Sequence, residues 1–154
     1  MIIEKNISLK PFNSFGIDVQ ASTVYKVSTE EDLLEALTII NPQTTNDIMV
    51  LGGGSNILLT GDIKIPIIKN ELKGISVIEE NVDHAIVKSG AGELWQDLVI
   101  FALDNDLGGL ENLSLIPGSV GASPMQNIGA YGVELKDSFI SPSKFSRLNV
   151  PKRI

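Results

Sequence analysis

The residues of this chain best suited to chemistry are backbone-rich ones: Val50 to Asn56 reads VLGGGSN, an apolar run ending in three consecutive glycines, a serine and an asparagine. Glycine in a regular element is destabilising by roughly 0.5–1 kcal/mol relative to alanine, so such a run belongs where side chains would obstruct something. Successive backbone N–H groups in a turn of this kind can form a concave anion site, and Ser55 and Asn56 add side-chain donors. A phosphate or pyrophosphate suits that chemistry. A plain tight turn after a strand suits the same residues, because GGGSN has neither the lysine of a P-loop nor the spacing of a dinucleotide-binding fingerprint.

A second stretch, Leu113 to Leu135 (LSLIPGSVGASPMQNIGAYGVEL), holds four glycines and two prolines among small and apolar residues. That density disfavours a regular helix or strand. Backbone lying against a flat or extended ligand accounts for it better than a long structureless connection does. Gln126, Asn127 and Tyr131 are its polar members.

Other chemistries are excluded by composition. The chain has no cysteine and one histidine, so disulfides, thiolate metal sites, a cysteine nucleophile and a histidine-rich metal centre are all ruled out. His84 falls in the polar run Glu79 to His84 and reads as a solvent-facing turn residue. A net charge of −7 argues against a nucleic-acid binder, which needs a basic surface to displace counterions. With 154 residues, 43% of them hydrophobic and 20% charged, the chain suits one domain or two small lobes around a substantial core. No apolar run reaches membrane-spanning length, and the amino terminus lacks a secretory pattern, so a cytoplasmic protein is expected.

The elements that must carry the two stretches are legible in outline. Ile7 to Leu9 is a short apolar segment leading to FNSFG, which suits an irregular turn pinned by Phe12 and Phe15, although on these residues alone a simple anchored amino-terminal arm is the preferred expectation. Ser22 to Val27 (STVYKV) has strand composition. Ser28 and Glu31 have the spacing of a capping box, which opens a helix through Leu33, Leu34, Leu37 and Ile40 that ends at Asn41-Pro42. The loop Gln43 to Asn46 leads to a buried strand over Ile48 to Leu51, completing a βαβ unit with a parallel pair and the glycine loop at its carboxyl end. Ile57 to Leu59, Ile63 to Ile68, Ile75 to Glu79 and Ala85 to Ser89 are strand candidates. A helix from about Glu93 to Asp104 follows, with Leu94, Trp95, Leu98, Phe101 and Ala102 on one face and Trp95 a core anchor. Ser138 to Ile154 has four basic residues, no acidic ones, two prolines and four serines, and is expected to be a poorly ordered tail.

Taken together and in order, FNSFGI, VLGGGSNIL, GAGELW and GLENLSLIPGSVGASPMQNIGAYGVEL resemble the UDP-N-acetylenolpyruvoylglucosamine reductase (MurB) family across about residues 5 to 137. The long final block is the specific part. The resemblance implies an α+β, two-lobed FAD-binding fold of the vanillyl-alcohol oxidase type: a first lobe over 1–60, a second over 61–137, FAD held non-covalently between them, and a divergent tail over 138–154. It also implies that Gly52, Gly53, Gly54, Ser55 and Asn56 hold the pyrophosphate. Ile116, Pro117, Gly118, Val120, Gly121 and Ala122 would then run along the flavin, with Met125, Gln126, Asn127, Gly129 and Tyr131 near the isoalloxazine.

The family reaction uses NADPH, through FAD, to reduce the enolpyruvyl group of a UDP-sugar nucleotide for peptidoglycan synthesis. Its arginine and glutamate stabilise an enolate, and its serine protonates the carbon. Those residues lie beyond the counterpart of Val133 to Asp137, the arginine in a tyrosine-arginine motif, and none has a match here. Arg147 and Arg153 do not fit that motif. No catalytic residue is therefore assigned, the substrate domain is expected to be absent, and the chain is expected to be truncated or diverted after about Asp137. The covalently flavinylated oxidases of the same fold are disfavoured, because His84 lacks the surrounding motif.

Overall fold

The structure, a computed structural model, describes residues 1–40, 47–142 and 145–152. The chain divides into two compact units, Met1–Leu72 and Lys73–Ile154. Both mix helix and sheet, so the fold class is α+β.

The first unit is built on strands β1 (Ile2–Ser8), β2 (Gln20–Val27), β3 (Met49–Leu51) and β4 (Ile67–Asn70), with helix α1 (Glu30–Ile39) between β2 and β3. Their order in the sheet is β1-β2-β4-β3. β1 pairs antiparallel with β2, whereas β2 and β3 both pair parallel with β4. The expected parallel relation of β2 and β3 therefore holds, but through an intervening strand. β4 carries paired apolar residues for that reason, since a central parallel strand is covered on both faces. Val24 sits opposite Ile67 and Tyr25 opposite Ile68. The first pair joins Leu9, Ala21, Leu51 and Leu59 in one apolar cluster. The second joins Val27, Ala36 and Ile40 under α1. The period of two thus divides the unit into two thin cores.

Two boundaries shift. The first unit runs to Leu72 rather than to 60, because β4 is central to its sheet. Of the strand candidates, Ile57 to Leu59 lies outside any strand, and Ile63 contributes only an isolated bridge to Ala21. The helix cap also moves by one residue. Thr29, not Ser28, is the N-cap: its hydroxyl accepts from the Asp32 N–H at 3.1 Å, while the Asp32 carboxylate accepts from the N–H groups of Ser28 and Thr29 at 2.9 and 3.3 Å. Aspartate in the third helical position closes the box as glutamate does. The Asn41-Pro42 stop and the loop Gln43 to Asn46 lie outside the described residues.

The second unit holds β5 (Ile75–Glu80), β6 (His84–Gly90), helix α2 (Trp95–Asp104), the hairpin β7 (Gly129–Ala130) and β8 (Val133–Glu134), then β9 (Phe139–Pro142) and β10 (Phe145–Pro151). Its main sheet has the order β5-β6-β10-β9, all neighbours antiparallel. Alternate residues of β6 and β10 face the core: Val87 opposite Leu148 and Ala85 opposite Val150. α2 covers them with Trp95, Leu98, Val99 and Ala102. Trp95 is fully buried and its indole N–H donates to the Leu113 carbonyl at 2.7 Å, which bears out its reading as an anchor. His84 begins a strand rather than occupying a turn; its backbone N–H and carbonyl both bond to Asn81.

The carboxy-terminal segment corrects the expected tail. Its apolar residues Leu148 and Val150 alternate at strand spacing, and pairing with β6 buries both completely. Asp83 accepts from the Lys152 N–H at 2.8 Å and Pro151 from the Gly108 N–H at 2.7 Å. Helical periodicity is lost there because the period has become two, in a run too short and serine-rich to stand out.

Two outcomes test this fold. Leu148→Ala should lower the unfolding free energy by about 2–4 kcal/mol in denaturant titration, as a buried leucine does and a loose tail does not. The Met1 ammonium bonded to Asp32, with the Ser28 N–H, holds the Asp32 carboxyl below its ordinary value. A lowered folded value means stability that is present above the unfolded value and lost as pH falls through the folded one. The stability gap between wild type and Asp32→Asn should accordingly narrow as pH falls through and below the ordinary carboxylate range, which pH-dependent denaturant titration of the two proteins checks.

Candidate functional site

The glycine loop leaves the carboxyl end of β3 and is shaped by FNSFG. Asn13 is buried between Phe12 and Ser14. Its amide donates to the Leu9 and Ile17 carbonyls at 2.8 and 3.0 Å, and its carbonyl oxygen accepts from the Ile17 N–H at 2.9 Å. One side chain therefore closes the whole turn. Of the two aromatics expected to pin this segment, Phe12 packs against the first unit's core, whereas Phe15 is 66% exposed and does not. Asparagine closes the turn because it offers two donors and an acceptor from a short stem.

Against this turn lies Gly54. Its φ is +67°, and a Cβ built there would stand 2.0 Å from the Phe12 carbonyl oxygen. The Ser14 N–H donates to the Gly54 carbonyl at 3.0 Å. Gly54 is thus glycine because protein backbone, rather than a ligand, occupies its side-chain space. Gly52 and Ser55 are half-buried, and Gly53 and Asn56 are exposed. Among the described residues, the N–H groups of Gly53, Gly54, Ser55 and Asn56 donate to no acceptor. Unpaired backbone donors on a rigid loop are unusual unless they face water or a ligand. With the Ser55 hydroxyl and the Asn56 amide beside them, they fit an anionic group such as a pyrophosphate.

The second stretch lies wholly in the second unit and packs backbone on backbone against Ala91 to Trp95. The Gly118 carbonyl accepts from the Trp95 N–H at 3.0 Å, the Glu93 carbonyl from the Val120 N–H at 2.9 Å, and the Ala91 carbonyl from the Gly121 N–H at 2.9 Å. A Cβ at Gly121 would come within 2.7 Å of the Ala91 methyl. Glu93 also ties this region to the start of β5: its carboxylate accepts from the Gly74 N–H at 2.6 Å and pairs with Lys73 at 3.1 Å.

Not every residue assigned to the flavin is free to meet one. Val120 is fully buried in the core, its N–H is bonded to Glu93, and its carbonyl accepts from Ser123. It is a packing residue, and its assignment to ligand contact is withdrawn. Ile116 packs against the same core, and the Gly121 and Ala122 N–H groups are already bonded. Pro117, Met125 and Asn127 are exposed, and Gln126 is half-buried. Gly129 opens β7, and Tyr131 with Gly132 forms the two-residue turn to β8, with φ of 51° and 80°. Both values are those of a type I′ hairpin turn. That turn holds Tyr131 at its tip, 89% exposed. Among the described residues, the side-chain polar groups of Gln126, Asn127 and Tyr131 have no protein partner. Of these three, Asn127 lines an open cleft of about 490 Å³, with Gly129, Glu134 and Lys136 among its other walls. Lys136 is paired with Glu134, whose carboxylate holds the ammonium above its ordinary value.

No helix of the described residues is long and apolar enough to cross a membrane, and no cluster among them has the composition of a metal site. Sequence reasoning passed over Asn13, Glu93 and Gln96, which shape the two segments. The signal for Asn13 was present, since an Asn-Ser pair followed by Gly16 is turn chemistry. That for the other two was not, because a helix-start glutamate or glutamine reads as solvent-facing.

A model of the FAD binding domain family matches residues 21–141. The chain is 49% identical over 141 residues to the UDP-N-acetylenolpyruvoylglucosamine reductase of Flavobacterium johnsoniae, covering 92% of this chain and 41% of that protein. It is 47% identical to the enzyme of the same name from Pseudomonas savastanoi pv. phaseolicola over 145 residues, and 46% to that of Pseudomonas aeruginosa, covering in each case 94% of this chain and 42% of the relative. The chain thus spans about two-fifths of the length of these curated relatives. Among solved structures it is similar to the UDP-N-acetylenolpyruvylglucosamine reductase of Thermus caldophilus, with a TM-score of 0.65 and 24% identity over 99% of this chain and 61% of that one. At that identity the likeness is one of fold.

Gly54→Ala should destabilise the first unit by more than about 2 kcal/mol, since both strain and collision oppose it. Gly53→Ala, at an exposed position without positive φ, should change stability by less than about 1 kcal/mol in the same urea titration.

Proposed function

The chain belongs to the FAD binding domain family, and from that premise we propose that it is the flavin-binding portion of a UDP-N-acetylmuramate dehydrogenase. The parent activity is the NADPH-dependent reduction of UDP-N-acetylglucosamine enolpyruvate in peptidoglycan synthesis, a cytoplasmic oxidoreductase step. The observation that carries this reading is the run of unpaired N–H groups at Gly53 to Asn56, on a loop whose shape other residues enforce.

In this reading Gly52, Gly53, Gly54, Ser55 and Asn56 hold the pyrophosphate of a non-covalently bound FAD. Ile116, Pro117, Gly118, Gly121 and Ala122 present backbone along the flavin, and Met125, Gln126, Asn127, Gly129 and Tyr131 lie toward its isoalloxazine. The bound flavin supplies hydride transfer. The chain's own residues bind and orient it, through fixed dipoles that need no rearrangement when charge arrives.

The groups that would stabilise an enolate and protonate its carbon have no match here. Arg147 lies in β10 with its backbone between β6 and β9, and we give it no catalytic role. Turnover is therefore assigned to a longer polypeptide carrying the substrate-binding part. The chain as given is assigned flavin binding without catalysis. The pairing of β10 within the second sheet supports a folded binding module over a non-functional product.

Titration of the purified chain with FAD should give saturable quenching of flavin fluorescence and a bound-flavin absorbance spectrum. No NADPH oxidation should follow on adding the enolpyruvyl substrate. Gly53→Val should weaken FAD by about tenfold or more while leaving the unfolding midpoint near wild type. A chain that stays colourless at saturating FAD would end the proposal, and coupled NADPH oxidation would overturn the assignment of an inactive module.

A further inference from the structure

Leu115 is the most unexpected residue of the second segment. It is a bulky side chain in the left-handed region, with φ of 63°, and it is 82% exposed. Neither local conformational preference nor burial favours that choice. Three residues on, Gly118 has φ of 132°, so the expected flavin-facing run Ile116–Gly118 lies between two abnormal backbone conformations.

One side chain holds the first of them. Gln96, half-buried in the first turn of α2, accepts from the Leu115 N–H at 2.6 Å and from the Ser114 hydroxyl at 3.1 Å, both through Oε1. Because a backbone N–H can only donate, the oxygen of the carboxamide must face the loop. The Gly118 carbonyl is anchored separately, by the N–H of neighbouring Trp95. Adjacent residues of α2 therefore grip the two ends of Leu115–Gly118. Between them, the Ile116 and Gly118 N–H groups have no acceptor among the described residues.

We propose that Gln96 is a positioning residue of the flavin site, a clamp that keeps Leu115 left-handed and so presents the Ile116–Gly118 backbone to the cofactor. The proposal rests on the flavin-binding reading above. A core helix is rigid, and a two-point attachment to it preorganises a strained loop before ligand arrives. The strain is borne by the loop and held by the helix.

The test separates the clamp from the function. In the FAD-free protein, hydrogen exchange at the Leu115 amide should accelerate at least about tenfold in Gln96→Ala while amides of β6 and β10 stay protected. In Gln96→Glu, which keeps an acceptor oxygen, the protection should persist. In FAD titrations Gln96→Ala should bind about tenfold more weakly, and adding Leu115→Gly should restore most of that affinity, because glycine takes the left-handed conformation unaided. Unchanged Leu115 exchange in Gln96→Ala, or failure of Leu115→Gly to restore binding, overturns the clamp. If wild type binds no FAD, the proposed function falls, and the exchange result alone then upholds or refutes the clamp.

Discussion

The first unit depends on one contact, the Phe12 carbonyl lying where Gly54 would carry a Cβ. That closeness exists because Asn13 satisfies three backbone groups of its own turn and leaves the turn narrow enough to lie against the glycine loop. The consequence is an asymmetry. The Asn13 carboxamide has its polar groups paired within the protein, whereas the loop it braces has N–H groups left over. Hydrogen-bonding capacity is satisfied by the Asn13 side chain on one side and left open on the other.

The second unit reaches the same end by other means. There the glycines and small residues let the segment through Ser119 and Gly121 lie directly on Ala91 to Trp95, as though an extra strand had been laid at a helix entrance. Trp95 fills the space beneath, and its indole N–H bonds the Leu113 carbonyl. Bulk at one position permits thinness at the next. That close approach tolerates no side chain at Gly121, where a Cβ would collide with the Ala91 methyl.

What the sequence disclosed followed the strength of each local signal. The strand around Val24 and Tyr25, both helices and the two glycine-rich segments were legible, because alternation, capping and glycine density are short-range properties. The cap fell one residue late because Ser28-x-x-Glu31 and Thr29-x-x-Asp32 are nearly equivalent, and only the end of β2 at Val27 decides between them. β4 was drawn too early and its central place was invisible, since pairing order is a long-range property. Leu148 and Val150 were overlooked for a similar cause: their alternation means little until β6 supplies the opposite half. At the candidate site, the glycines announced themselves. Gln96 did not, because its importance lies in what it bonds and not in what it is.

The order β1-β2-β4-β3 bears on how the first unit is made. Within its sheet β3 touches only β4, and 15 residues of chain separate Leu51 from Ile67. A ribosome delivering the chain at about 5–20 residues per second exposes the glycine loop before the strand that seats β3 exists. Until β4 inserts between β2 and β3, the loop has no edge to hang from, and its unpaired N–H groups are held by nothing. The unit therefore seats its glycine loop last, as the closing event of a non-local pairing that must first meet the entropy of loop closure.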